Sequence, residues 1–147
     1  MAPRLTLQDI PAGAYQAVLG MENYIRGNVE GPLLELIKLR ASMVNGCAYC
    51  VDMHSRDALA AGESSRRLFG VAAWHEAPFY TARERAALAL TDAVTRLGDE
   101  GVSDDVWDQA RKEFTDEELA NVLMAIATIN VWNRLAITTR TQPPETV

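Results

Sequence analysis

The sequence has no run rich in lysine or arginine, and its formal net charge is −6. A protein that neutralises phosphates needs clustered basic residues, so nucleic acid is not an expected partner. No uninterrupted apolar run approaches the roughly 20 residues that span a bilayer, and no membrane association is expected. The opening stretch, MAPRLTLQDIPAG, lacks the apolar segment of about 7–15 residues that a secretory signal requires. The expected location is therefore the cytoplasm, where thiols are kept reduced. Internal repeats, low-complexity segments, linkers and the β-branched alternation of a sheet are also missing. Cysteine and histidine are scarce, with two of each. Both cysteines sit three positions apart, a placement that in a reducing compartment points to catalysis or metal binding rather than a structural staple.

What remains is helical. With 147 residues, 48% of them hydrophobic and 23% charged, the chain fits one domain, residues 1–147, with one sizeable core. IPAGAYQAVLGMENYIRG places Tyr15, Val18, Leu19, Tyr24 and Ile25 at helical spacings behind Pro11. The residues from Asn28 to Gly31 break that helix. PLLELIKLRASMVNG opens the next with Pro32 and closes it at Asn45-Gly46. A third helix is expected from Cys47 to Ala61, closed by Gly62. Ser64 or Ser65 caps a short helix running toward Trp74. Thr81 with Glu84, and Thr115 with Glu118, have capping-box spacing, and Ser103 caps DDVWDQARKEF. The fold class is all-α, a compact single domain of about six to seven helices.

The chemistry is concentrated in NGCAYCVDMHSRDA, residues 45 to 58. Gly46 precedes Cys47, which puts Cys47 at a helix start, where free amides and the helix dipole favour a thiolate. At helical pitch Cys50 lies about 60° round from Cys47, and His54 about 40° from Cys50, so all three share one face. Cys50 and His54 are one turn apart, and an imidazole of ordinary pKa near 6.5 can take a thiol proton. Glu35 lies on the preceding helix; if the two helices pack antiparallel across Asn45-Gly46, its carboxylate faces His54. This is a base-activated nucleophile with a second thiol close enough to resolve it. Zinc is a rival reading, with Cys47, Cys50, His54 and the distant His75 as ligands, but three of those donors lie on one short helix. Haem attachment needs CxxCH, and Val51 follows Cys50.

The spacing Glu35-x11-Cys47-x2-Cys50-x3-His54, with the flanks LIKLRASMVNGCAYCVDMHSRDA, RERAALALTDAVT and INVWNRLAI, resembles the alkylhydroperoxidase D-like, carboxymuconolactone decarboxylase superfamily. The resemblance covers roughly residues 15 to 138. It implies an all-helical subunit that assembles into homotrimers or homohexamers. It also implies a thiol-dependent peroxidase: Cys50 attacks the hydroperoxide and becomes a sulfenic acid, Cys47 resolves it to a disulfide, and His54 relays a proton with support from Glu35. A dithiol such as a dihydrolipoamide-bearing protein restores the thiols, and no bound flavin, haem or metal cofactor is needed. The helix-start argument alone favours Cys47 as the more acidic thiol; on the family's order it exchanges with the incoming dithiol from an exposed helix start. One departure is Tyr49, where some peroxidase members carry a histidine before the second cysteine. Two other functions are compatible with the fold, a carboxymuconolactone decarboxylase-like lyase and a non-catalytic oligomer that senses redox state or binds a partner.

The remaining singular residues read as structural. His75 is expected at the surface or an interface, outside the site. Asn130, Asn133 and Arg134 interrupt an apolar helix and are expected to cap neighbouring backbone or bridge subunits. Trp74, Trp107 and Trp132 are expected as core or interface anchors. The acidic runs Asp104-Asp105 and Asp116 to Glu118 fall in first turns, where the helix dipole accommodates them.

Overall fold

Capping chemistry sets the helix starts. Thr81 Oγ1 accepts from the Glu84 amide at 3.1 Å while the Glu84 carboxylate accepts from the Thr81 amide at 2.9 Å. Thr115 and Glu118 repeat this reciprocal pair at 3.2 and 2.8 Å, and Ser64 and Ser103 accept from the amides of Arg67 and Val106. The computed structural model describes residues 1–146. Over these run α1 (Ala12–Asn28), α2 (Gly31–Asn45), α3 (Ala48–Ala60), α4 (Ser65–Gly70), α5 (Ala82–Thr95), α6 (Asp104–Glu113) and α7 (Asp116–Thr139). Single 3₁₀ turns cover Leu7–Asp9 and Val71–Ala73. No strand occurs among the described residues, and the fold is all-α.

α2 is the central helix. Every residue from Leu36 to Ser42 is buried, so it is enclosed on all sides rather than along one stripe. Leu33, Leu34 and Ile37 pack into a core shared with α1, α5, α6 and α7, which includes Ile25, Leu90 and Ile126. Leu36 and Leu39 face a second core with Leu68, Val71, Trp74 and Leu88. α7 is 24 residues long with a mean hydropathy of 1.2 over its most apolar window. By length and composition it is the one membrane-span candidate among the described residues; here ten of its residues, Leu119, Val122 and Ile129 among them, are buried by packing within the fold.

Two charges of α2 are buried with it, and each holds a different neighbour. Lys38 is 1% exposed and bonds Glu22 of α1. Arg40 grips Asp92 of α5 with Nε and Nη2 at 2.6 and 2.9 Å. Its Nη1 donates to the carbonyls of Val71 and Ala72 at 3.2 and 3.1 Å. Trp74 Nε1 donates to the same aspartate at 3.1 Å. Such pairs add little net stability relative to an apolar replacement, but breaking one strands a buried charge.

Burial alone would raise the Glu22 carboxyl pKa, yet the hydrogen bonds and charges of Lys38 and Arg26 hold it below its ordinary 4.5. A carboxyl whose folded pKa is depressed stabilises the fold above its unfolded value and loses that contribution as pH falls through its folded value. Urea midpoints should therefore decline below about pH 4.5, and Lys38→Met should flatten that decline. Asp92→Ala should lower unfolding stability by about 3 kcal/mol or more at neutral pH, read from the same titrations, because it leaves Arg40 buried and unpaired.

Candidate active site

The reversal between α2 and α3 places the cysteines. Gly46 adopts φ 71°, ψ 34°, a left-handed conformation that costs glycine little. The amides of Gly46 and Cys47 close the end of α2 onto the carbonyls of Met43 and Ser42 at 3.2 and 2.9 Å. Behind the turn, Asn45 Nδ2 donates to both Asn130 Oδ1 and Asn133 Oδ1 at 2.9 Å, and Asn133 Nδ2 donates to Ser42 Oγ at 3.0 Å. The polar residues that interrupt α7 thus tie the turn before Cys47 to that helix. Arg134 donates to Asn130 Oδ1 at 2.7 Å and completes the group.

Cys47 is the N-cap of α3, and its sulfur accepts from the Cys50 amide at 3.3 Å. Cys47 and Cys50 are joined as a disulfide, with their Cα atoms 5.3 Å apart. The antiparallel return of α3 along α2 brings Glu35 Oε2 to 3.2 Å from His54 Nδ1. If the Nδ1 proton is donated to that carboxylate, Nε2 is left as a free acceptor. His54 is 3% exposed, and its Nε2 has no protein partner.

A cavity of about 160 Å³ opens beside this histidine, between α1, α3 and α7. Tyr15, Leu19, Met53, Trp132 and Ala136 form its apolar walls, with Tyr15 and Trp132 edge to face at 5.6 Å between centroids. Cys50, His54, Glu22 and Arg26 also line it, as does Tyr49. Glu35 does not line this cavity; it lies across the histidine, on a separate groove with Asp57 and Glu63. The imidazole therefore lines the Cys50 cavity, and its Glu35 partner lines a separate groove.

The structure corrects the expected exposure of Cys47. The sulfur does not sit at an open helix start: the residue is 2% exposed, in a small cluster with Cys50, Ala136 and Tyr49. The reason is tertiary, since α7 and the segment after it pack over the helix start. Cys47 nevertheless lines a different cavity, of about 200 Å³, with Gly46, Ile137, Arg140 and Gln142. The two residues of one disulfide thus line two different cavities.

His75 is apart from this group. Its ring stacks on Trp74 at 3.7 Å, near Asp92, and its side chain is 64% exposed. It does not join Cys47, Cys50 and His54 in the four-ligand set considered for zinc, and no cluster of three or more metal-ligating residues occurs among the described residues. Trp74 is a core residue, Trp107 is partly exposed, and Trp132 walls the cavity. Sequence reasoning missed Glu22, Arg26 and Lys38. One signal was present: Lys38 lies between Ile37 and Leu39, and a lysine buried among such neighbours requires a partner.

Known proteins resemble this chain in sequence and fold. Residues 12–93, more than half of the chain, match the carboxymuconolactone decarboxylase family. The Bacillus subtilis (strain 168) protein YdfG is 34% identical over 138 residues, which span 93% of this chain and 94% of its own. A crystal structure from Agrobacterium tumefaciens, of a candidate antioxidant defence protein AhpD, superposes with a TM-score of 0.93 at 40% identity. It covers 97% of this chain and 99% of that one. The debrominase Bmp8 shares the fold at a TM-score of 0.80 and 21% identity, over 89% of this chain and 71% of its own. By the match over residues 12–93 and the extent of these likenesses, the chain belongs to the carboxymuconolactone decarboxylase family and has its AhpD-like all-helical fold.

Proposed function

We propose that this protein is a cytoplasmic thiol-dependent peroxidase, which reduces small hydroperoxides at Cys50 and is restored by an external dithiol. The observation that supports it best is the pairing of Cys50 with a buried, unpartnered His54 Nε2 on one cavity. In the reduced enzyme, Nε2 takes the Cys50 thiol proton. The thiolate attacks the terminal peroxide oxygen, the O–O bond breaks, and the leaving alkoxide takes that proton from the imidazolium. Cys50 is then a sulfenic acid. Cys47 displaces its hydroxyl as water and forms the disulfide.

Reduction proceeds from the other side. A thiolate of the carrier attacks Cys47 Sγ through the cavity by Arg140 and Gln142. The first carrier thiol gives up its proton as it attacks, His54 Nε2 relays that proton to the leaving Cys50 thiolate, and the carrier's second thiol then releases Cys47, passes it its proton and closes the carrier's own disulfide. A dihydrolipoamide-bearing protein has the required dithiol. Glu35 holds the imidazole tautomer and balances its positive charge. The thiols carry both electrons, so the cycle has no step that requires flavin, haem or metal. Exposed Phe69, Leu97 and Leu59 are suited to burial between subunits, in keeping with a homotrimer or homohexamer.

One equivalent of an organic hydroperoxide added to the reduced protein should consume both thiols rapidly. Cys50→Ser should abolish the reaction, and Cys47→Ser should stop it at a sulfenic acid that a dimedone probe traps. Thiols that persist for hours would overturn the reading, and full activity of Cys47→Ser on a lactone would favour a lyase instead. His54→Ala should slow peroxide reduction by about 10²–10⁴-fold. Glu35→Gln should slow it by a smaller factor, with the thiol titration of Cys50 shifted in both variants.

A further inference from the structure

Glu22 has one oxygen more than its ion pair uses. Oε1 accepts from Lys38 Nζ and, at 3.0 Å, from Arg26 Nε. Oε2 has no protein partner, although the residue is only 6% exposed. A buried acceptor left unpaired is costly. Glu22 lines the same cavity as Cys50 and His54. Lys38 and Arg26 keep it ionised against the opposing effect of burial, so it can accept a hydrogen bond but not donate one.

That chemistry restricts the ligand. A molecule seated against Oε2 must present an O–H or N–H, and a carboxylate there would meet a like charge. Arg26 does not reverse this preference, because its side chain is 63% exposed and already bonded to Glu22. The apolar walls favour a hydrocarbon body. A volume of about 160 Å³ is comparable to cavities of about 150 Å³ that admit a single benzene.

We propose that Glu22 is a substrate-binding residue whose Oε2 accepts the O–H of a small uncharged organic ligand and excludes carboxylate-bearing ones from the Cys50 cavity. The inference rests on the peroxidase reading, in which that O–H belongs to the terminal oxygen of a hydroperoxide. Held on Glu22, this oxygen is presented to Cys50 while the alkoxide leaves toward His54. After transfer the same hydroxyl is the sulfenic acid O–H, still within reach of the carboxylate.

Binding is tested on the oxidised protein, where no turnover occurs, by NMR titration of the Trp132 indole N–H with phenol, toluene and benzoate. Phenol should bind about tenfold or more tightly than either of the others, the discrimination expected of a hydrogen bond to a charged group. Glu22→Leu/Lys38→Met removes both members of the ion pair, so neither charge is stranded. In it, phenol and toluene should bind within about threefold of each other. Equal binding of phenol and toluene by the natural protein, tighter binding of benzoate, or retained phenol preference in the double variant would each overturn the assignment. If the double variant does not fold, Glu22→Gln should lose the phenol preference and His54→Ala, which removes the other unpartnered acceptor on the cavity, should keep it; the reverse pattern would overturn the assignment. Phenol preference without hydroperoxide consumption would sink the peroxidase reading and leave the binding role of Glu22 standing; hydroperoxide consumption without phenol preference would do the reverse.

Discussion

The burial of α2 is the constraint on which the rest of the structure depends. A helix enclosed on every side must satisfy each polar group that it carries, and α2 carries three charges toward three neighbours. Lys38 meets Glu22 on α1, Arg40 meets Asp92 on α5, and Glu35 meets His54 on α3. Each pair is costly to break once formed. Together they fix the positions of three helices around the central one, and two of the three pairs place a residue on the Cys50 cavity. The framework that orders the fold is thus the framework that charges the site.

The disulfide sits at the point where that framework separates two spaces. Cys50 opens toward a walled apolar cavity with a histidine and a carboxylate, while Cys47 opens toward a cavity beneath the segment that follows α7. In the proposed cycle, oxidant and reductant reach the same sulfur–sulfur bond from different sides. The peroxide then need not compete with a bulky carrier for one entrance. His54 serves both halves, since Cys50 is the attacking sulfur in one and the leaving sulfur in the other.

The fold itself carries no such instruction. The debrominase Bmp8 has the same architecture at low identity, and different chemistry on one scaffold is ordinary. What distinguishes one activity from another is the set of groups around the sulfur. In this chain those groups are Glu22, His54, Tyr49 and the aromatic wall of Tyr15 and Trp132.

Much of this was determined by local sequence. Capping boxes at Thr81 and Thr115, Gly46 as the turn, Pro32 in a first turn and Cys47 at a helix start all rest on interactions within a few residues, and the structure places each accordingly. Even the approach of Glu35 to His54 is nearly local, because one tight turn joins their helices and allows only an antiparallel return. The rest was decided by tertiary structure. Glu22 precedes Cys50 by 28 positions, and no spacing rule relates α1 to α3; only packing against the buried Lys38 brings the carboxylate to the cavity. Cys47 reads as exposed from its place at a helix start, yet α7, at the far end of the chain, covers it. Helix caps and turns are selected by neighbouring residues, whereas burial and cavity shape depend on which distant surfaces meet.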